Sequence, residues 1–405
     1  MNFALARTEH ASPLPAPVAT DGKLGAVEVA LTMEAAEPAW RSLLAQDGFG
    51  TAYQDFDLCA LWFRHVGRPA GFEPFVVIGR NAVGDPLFLW PLVRRTVGGC
   101  RVASFFLGRH ANSGSVLWRR DVAQAMSLPE LEAILRRMAG GIDALALHNQ
   151  PRALLGLPNP LLLLPHQDAP DQSYSVTLHG SGDDILARRF NADSRRKLRR
   201  KERHLSALPG YRYVRATSSE QVERCISEFL KQKAARLAAR GIGNAFDEPG
   251  METFLRAASR EGLTRGEPLI EIHSLECETE ILALFAGIHD RHCFSTMFNS
   301  YTLGEHARMS PGITLLLKLI DDCARRGFET LNLGIGAAEY KSTLCDIAER
   351  PFDSFIGLTM RGRVLSLASR AVQSLKGAVK SNPKLWDAYS SARKRLFSNR
   401  RSAKP

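Results

Sequence analysis

The sequence predicts an α+β protein built from two similar halves, and three observations carry this. The chain has 405 residues, too many for one ordinary domain and enough for two of average size with some tail. Strand-like and helix-like stretches run twice in the same outline: helices, a strand hairpin, a helix, then a strand. Apolar residues make up 45% of the chain, a normal share for a globular core, and none of them forms the uninterrupted run of about 18 that a membrane-spanning helix needs. The expected architecture is two mixed, mostly antiparallel sheets flanked by helices.

Residues 1–26 are rich in Ala, Pro and Thr and lack the charged-then-apolar order of a secretory leader; they are expected to form a disordered tail. A first domain is expected over 27–165. In it "VEVALTM" (27–33) reads as a strand, and "EPAWRSLLAQ" spaces its apolar residues three or four apart, as a helix does. "DFDLCALWFRHVG" (55–67) is a second helix, closed by Gly67, and 74–95 reads as two strands about a turn at 81–85. "RVASFFLG" (101–108) is a strand, "LPELEAILRRMAG" (128–140) an amphipathic helix ending at glycine, and 141–151 a strand.

A Pro- and Leu-rich connector at 151–170 leads to a second domain, expected over 170–360. "SYSVTL" (173–178) is a strand and 179–210 one long helical stretch. "YRYVRAT" is a strand, and two helices follow over 218–241 and 251–262. Three successive strands, "PLIEIHSLE", "EILALFAGIHD" and "HCFSTMFNSY", turn at 278–280 and 290–291. A helix over 310–327 and the strand "TLNLGIG" close the unit.

The net charge is +11, and residues 361–405 hold twelve Lys or Arg against one acid, so the body is neutral and the excess belongs to the tail. A cationic tail points to an anionic surface or simply to solubility. Its apolar residues Val364, Leu367, Val372, Leu375 and Val379 recur at helical spacing, which predicts a basic amphipathic helix that either lies on an anionic leaflet or packs on the body. The seven cysteines show no C-x-x-C pair and read as reduced core thiols. No histidine has a metal-ligand spacing, so no metal is expected.

Two segments could carry chemistry. Ser310 is a good N-cap, Pro311 suits the first helical position, and Gly312 leaves the backbone uncovered. A helix N-terminus of that kind offers unpaired N–H groups and partial positive charge to a phosphate or pyrophosphate, although a plain capped helix accounts for the residues equally. "LNLGIGAAEYKSTL" (331–344) reads as a strand, two glycines spaced by one residue, then Glu339, Tyr340 and Lys341 in a row. A third feature is the run 188–205, with nine Lys or Arg against two acids; it is an anion-binding face or a solvated helix, and it interleaves no aromatic residues for base stacking.

The order of these segments resembles the GNAT acyltransferase superfamily. There a central antiparallel meander runs into a loop whose backbone amides hold the coenzyme A pyrophosphate, a helix starts at that loop, and a strand follows; residues 270–333 are similar. The loop here, "HARMSPG", has Arg308 and one glycine where the family is richer in glycine. The closing stretch resembles a tandem-GNAT branch related to the Fem-type peptidyl transferases, which includes proteins often labelled cellulose-biosynthesis CelD-like. Asn299, Tyr301, Ser310, Pro311, Gly312, Gly327 and Gly334 carry that likeness, which spans roughly 35–360 and leaves out the basic tail.

The resemblance implies two GNAT-like halves facing each other, the second holding acetyl-coenzyme A or another acyl-coenzyme A and the first shaping an acceptor pocket. Arg308, Ser310, Pro311, Gly312 and Asn299 would bind the donor. Lys341 would hold the developing oxyanion, Tyr340 or Tyr301 would protonate the thiolate, and Glu339 would take a proton from the attacking amine. Asn191, Arg195 and Lys197 of the basic run would bind substrate, and Gly334 and Gly336 would let it approach the backbone. The implied acceptor is a small molecule or a glycan precursor of the cell envelope, met in the cytoplasm or at the inner face of the membrane. Two rivals are an aminoacyl-tRNA-dependent peptidyl transferase and a non-catalytic accessory factor of polysaccharide synthesis at an anionic membrane.

Overall fold

The strands Glu271–Glu276, Ile281–His289 and Cys293–Tyr301 are buried almost throughout, as strands covered on both faces must be. A computed structural model describes residues 23–46 and 48–381; most of the expected N-terminal tail and residues 382–405 of the basic tail lie outside the described residues. The meander is the centre of a seven-stranded sheet in the order Arg212–Arg215, Glu271–Glu276, Ile281–His289, Cys293–Tyr301, Thr330–Ile335, Ser173–Thr177, Ile347–Glu349. One face is covered by helix Pro311–Arg325 through Leu315, Leu316, Leu319 and Ile320. The other face meets helices Ser219–Ala239 and Met251–Arg260, and there the core continues into the first half, where Trp40, Leu43, Phe56 and Phe106 join Phe229, Phe254 and Phe298.

The first half holds a six-stranded and a four-stranded sheet. The stretch 74–95 yields four strands rather than two, and the division of the second of the two expected strands falls at Pro91, which has no N–H to continue a ladder. Pro86–Trp90 therefore joins the four-stranded sheet and Leu92–Val97 the six-stranded one. Strand Cys100–Phe105 leads through helix Leu128–Met138 to strand Ala144–Gln150, and the two strands pair in parallel at Val102↔Ala144 and Ala103↔Leu145. Strand Cys293–Tyr301, helix Pro311–Arg325 and strand Thr330–Ile335 repeat that unit, so the duplication expected from the sequence exists in the backbone. Phe352–Gly357, which chain order assigns to the second half, instead pairs antiparallel with Ala144–Gln150 in the first.

Other expectations change in detail. The helical run 179–210 is two helices, Gly182–Arg189 and Ala192–Ser206, divided where Asn191 takes an extended conformation and its side chain accepts from Ser194 N at 2.8 Å. The stretch 55–67 is an α-helix, Phe56–Trp62, continued by a π-turn, Phe63–Gly67. Glu339–Leu344 is a short helix. All seven cysteines are unpaired and all but Cys293 are buried.

Beneath helix Pro311–Arg325, a buried ion network ties it to the sheet. Glu271 is 1% exposed and faces His273 Nε2 at 2.6 Å, while Arg326 donates through both terminal nitrogens to its two oxygens. Asp322, His273 and Glu271 lie close enough to share a cation, but both oxygens of Glu271 are engaged by Arg326, so we read the trio as a structural ion network. Burial alone would raise the Glu271 carboxyl, yet the His273 bond and the Arg326 guanidinium outweigh it and hold it at about 2. Its ordinary value is 4.5, so this stability is fully present above that pH and is lost as pH falls toward 2. Glu271→Gln removes the charged acceptor of His273 and Arg326, leaving Arg326 with Asp322 alone, and is expected to cost roughly 1.5–3 kcal/mol in urea unfolding at neutral pH. A loss below about 1 kcal/mol would show that the pair does not hold the helix.

Candidate functional site

The site begins where a ladder stops. Strands Cys293–Tyr301 and Thr330–Ile335 pair in parallel only at Cys293↔Thr330, Phe294↔Leu331 and Ser295↔Asn332. Beyond those rungs the strands part toward their C-terminal ends, and backbone groups along the gap need other partners. Asn112, from the first half, supplies some of them. Its Nδ2 donates to Thr296 O at 2.7 Å on one strand, and its Oδ1 accepts from Ile335 N at 3.5 Å on the other. Tyr53, also from the first half, receives a bond from the same Nδ2 at 3.1 Å.

Two amines bind carbonyls of the parted strands. Lys233 Nζ, from helix Ser219–Ala239, donates to Asn299 O at 3.2 Å. Lys341 Nζ donates to Gly334 O at 3.2 Å and Ile335 O at 3.3 Å. Burial lowers both to about 8; neighbouring Arg236 adds to this for Lys233, while Cys345 and Asp171 oppose it weakly for Lys341. Lys341 is 7% exposed and has no carboxylate within ion-pair distance among the described residues. An ammonium has three donors, and these carbonyls occupy two of them.

Phenols gather beside the amines. Burial pushes the Tyr340 phenol up to about 12, opposed by Arg236 and the Asn299 side chain nearby. The Arg236 guanidinium lies over the Tyr301 ring at 4.4 Å. Tyr301 also meets the start of helix Pro311–Arg325, where a Cβ on Gly312 would stand 3.5 Å from its ring. The structure therefore brings Gly312, Tyr301, Asn299 and Tyr340 together, while the Lys341 amine lies against Gly334 O, Ile335 O and the Tyr174 ring.

The helix start differs from its expected form. Ser310 sits at the N-cap position with φ 53 and ψ 52, a left-handed conformation that disfavours a side chain, and it makes no capping bond. Its hydroxyl instead accepts from Lys201 Nζ at 2.8 Å. Pro311 opens the helix as expected, and no side chain caps its first turn. Exposed Arg308 lies in the preceding turn, Glu305–Met309, against which helix Ala192–Ser206 packs.

The remaining candidates fall elsewhere or take other roles. Glu339 is exposed and opens the short helix. Asn191 caps its own helix, and Lys197 pairs with Asp193 at 3.3 Å in solvent. Arg195 is partly covered, with a buried Nε that has no partner. Gly334, expected to admit substrate, is closed off: its φ is +76 and a Cβ there would meet the Asn112 amide at 2.5 Å. Gly336, at φ +96, faces open space. Sequence reasoning missed Asn112, Lys233 and Lys201. Lys233 had a signal, since it continues the buried stripe of Val222, Ile226 and Phe229 along one helix face; Asn112 sits in a loop and had none.

Comparisons with known proteins bear on the fold and the domain. Residues 192–342 match the family model described as an acetyltransferase (GNAT) domain. No curated protein matches the sequence. Among solved structures, FemX is similar with a TM-score of 0.54 at 9% identity, over 82% of this chain and 98% of that one. A conserved protein of unknown function from Bacteroides thetaiotaomicron is similar with a TM-score of 0.52 at 9% identity, over 82% and 100% of the two chains. The chain thus carries a GNAT-type acyltransferase domain in its second half, within a tandem arrangement whose overall fold it shares with FemX.

Proposed function

We propose that the protein transfers an acyl group, most simply acetyl from acetyl-coenzyme A, to an amine or hydroxyl of a small molecule or glycan precursor. The observation that carries this reading is the parting of the two parallel strands beside an uncapped helix N-terminus. What supports a pyrophosphate at 310–312 is the positive end of the helix and the Gly312 N–H, since Ser310 N–H donates to Ala307 O and Pro311 has none, with Lys201 on the Ser310 hydroxyl and Arg308 exposed alongside. Between the parted strands a thioester would lie near Lys341, Tyr340 and Asn299.

In this reading the acyl carbon exchanges a C–S bond for a C–N or C–O bond. Lys341 turns its third N–H toward the developing oxyanion. Tyr340, held near 12 by burial, keeps its proton at neutral pH and gives it to the departing thiolate. Glu339, exposed on the same short helix, takes the nucleophile's proton through water. The first half supplies Asn112 and Tyr53 to the wall of the gap, which leaves it the acceptor side.

Differential binding to the folded state raises the melting temperature. Acetyl-coenzyme A or a longer acyl-coenzyme A is expected to do so in a thermal-shift screen; stabilisation by tRNA alone would favour peptidyl transfer and end this reading. Lys341 in addition donates to two carbonyls of the parted strand. Lys341→Met leaves Gly334 O and Ile335 O without this donor and is expected to lower the melting temperature by a few degrees while lowering kcat by about a hundredfold. A variant that melts lower and still turns over at the wild-type rate would exclude the role. With Lys341 protonated below about 8 and neutral above, kcat should fall as pH rises through that value. Lys341→Arg, charged throughout, should flatten the alkaline fall.

A further inference from the structure

We infer that the outward face of helix Met360–Ser381 is a docking surface for an anionic lipid bilayer, on which the helix lies in the membrane plane. The helix is fixed to the body by small and polar residues. Gly362 packs against the Asp143 carbonyl so closely that a Cβ would come within 1.7 Å of it. Ser366 is buried. Arg370 donates to Phe355 O at 3.0 and 3.2 Å, Gln373 to Asp353 Oδ2 at 3.3 Å, and Lys380 pairs with Asp171. Positions 362, 366, 370, 373 and 380 share one side of the helix.

The apolar residues lie on the other side. Met360, Val364, Leu367 and Leu375 are 73, 69, 65 and 66% exposed, with Val372 at the flank. A helix that served only the core would face the opposite way. Exposed Arg361, Arg363 and Lys376 border this stripe, and the segment beyond it, 382–405, adds seven Lys or Arg and one acid. An apolar stripe edged by cations matches a lipid surface, where side chains enter the headgroup region and basic residues meet anionic headgroups. A second copy of the chain fits less well, because a two-fold contact would set the same cations against each other. The chain's own 382–405 segment is itself cationic and would meet the same repulsion. No described helix is long and apolar enough to cross a membrane, so the contact is peripheral.

The test is co-sedimentation of the full chain with vesicles of phosphatidylcholine alone and mixed with phosphatidylglycerol. Binding to the mixed vesicles is expected, weaker in high salt. Replacing Leu367→Glu together with Leu375→Glu should reduce it about a hundredfold at an unchanged melting temperature, since both positions are exposed. Equal binding by that variant, or no binding of the native chain to the mixed vesicles, would overturn the assignment. So would a dimer in sedimentation velocity that the same substitutions dissociate.

Discussion

The arrangement depends on one interrupted ladder. Two parallel strands that stayed paired to their ends would bury their backbone groups in each other and leave no gap. Here the pairing ends after Ser295↔Asn332, and the exposed amides and carbonyls draw side chains from three separate elements: Asn112 from the first half, Lys233 from a covering helix, and Lys341 from the short helix that follows. Unpaired buried backbone groups are costly, so these donors are required by the split as well as by any chemistry in it. The Asn112 wedge makes the two halves interdependent. Gly334 must lack a Cβ for it to enter, and the continuous core behind it, from Trp40 to Phe298, keeps the halves in register.

Charge is handled in two contrasting ways. Away from the gap, buried carboxylates are fully met: Glu276 by Arg212, Arg224 and Ser274, and Asp143 by the Arg101 amide and the Thr359 hydroxyl. In the gap, buried Lys341 and half-buried Lys233 donate to neutral carbonyls, with no carboxylate within ion-pair distance among the described residues. Their lowered proton affinity follows from desolvation. Under the proposed function these are the groups that the chemistry would use. The left-handed Ser310, held by Lys201 at the mouth of the same gap, is a second local departure of that kind.

What the sequence made legible was local. Periodicity located the meander, the helix after it and the closing strand, and Pro311 gave the start of that helix. The break at Asn191 is an ordinary Asn cap, readable in hindsight from the residue type. What stayed hidden depends on distant contacts. Nothing near Phe352 announces that it pairs with Gln150, nor that Asn112 reaches a strand more than two hundred residues away. Gly334 was recognised as a place where something approaches the backbone, but composition could not say that the visitor is the protein's own amide. Lys233 was readable as a lysine on an apolar stripe, a pattern that invites a partner.

The last helix shows why periodicity alone cannot orient an element. The spacing of Val364, Leu367 and Leu375 requires one apolar side, and a core-facing or an outward-facing placement satisfies that spacing equally. Gly362 decides between them, because only a residue without a side chain can sit on the Asp143 carbonyl, and Ser366 and Arg370 continue the same side along the sheet. Once those contacts form, the apolar residues can only face away. The orientation therefore follows from the smallest residue in the helix, while the large ones, which dominate any hydrophobic pattern, are left to face whatever lies outside.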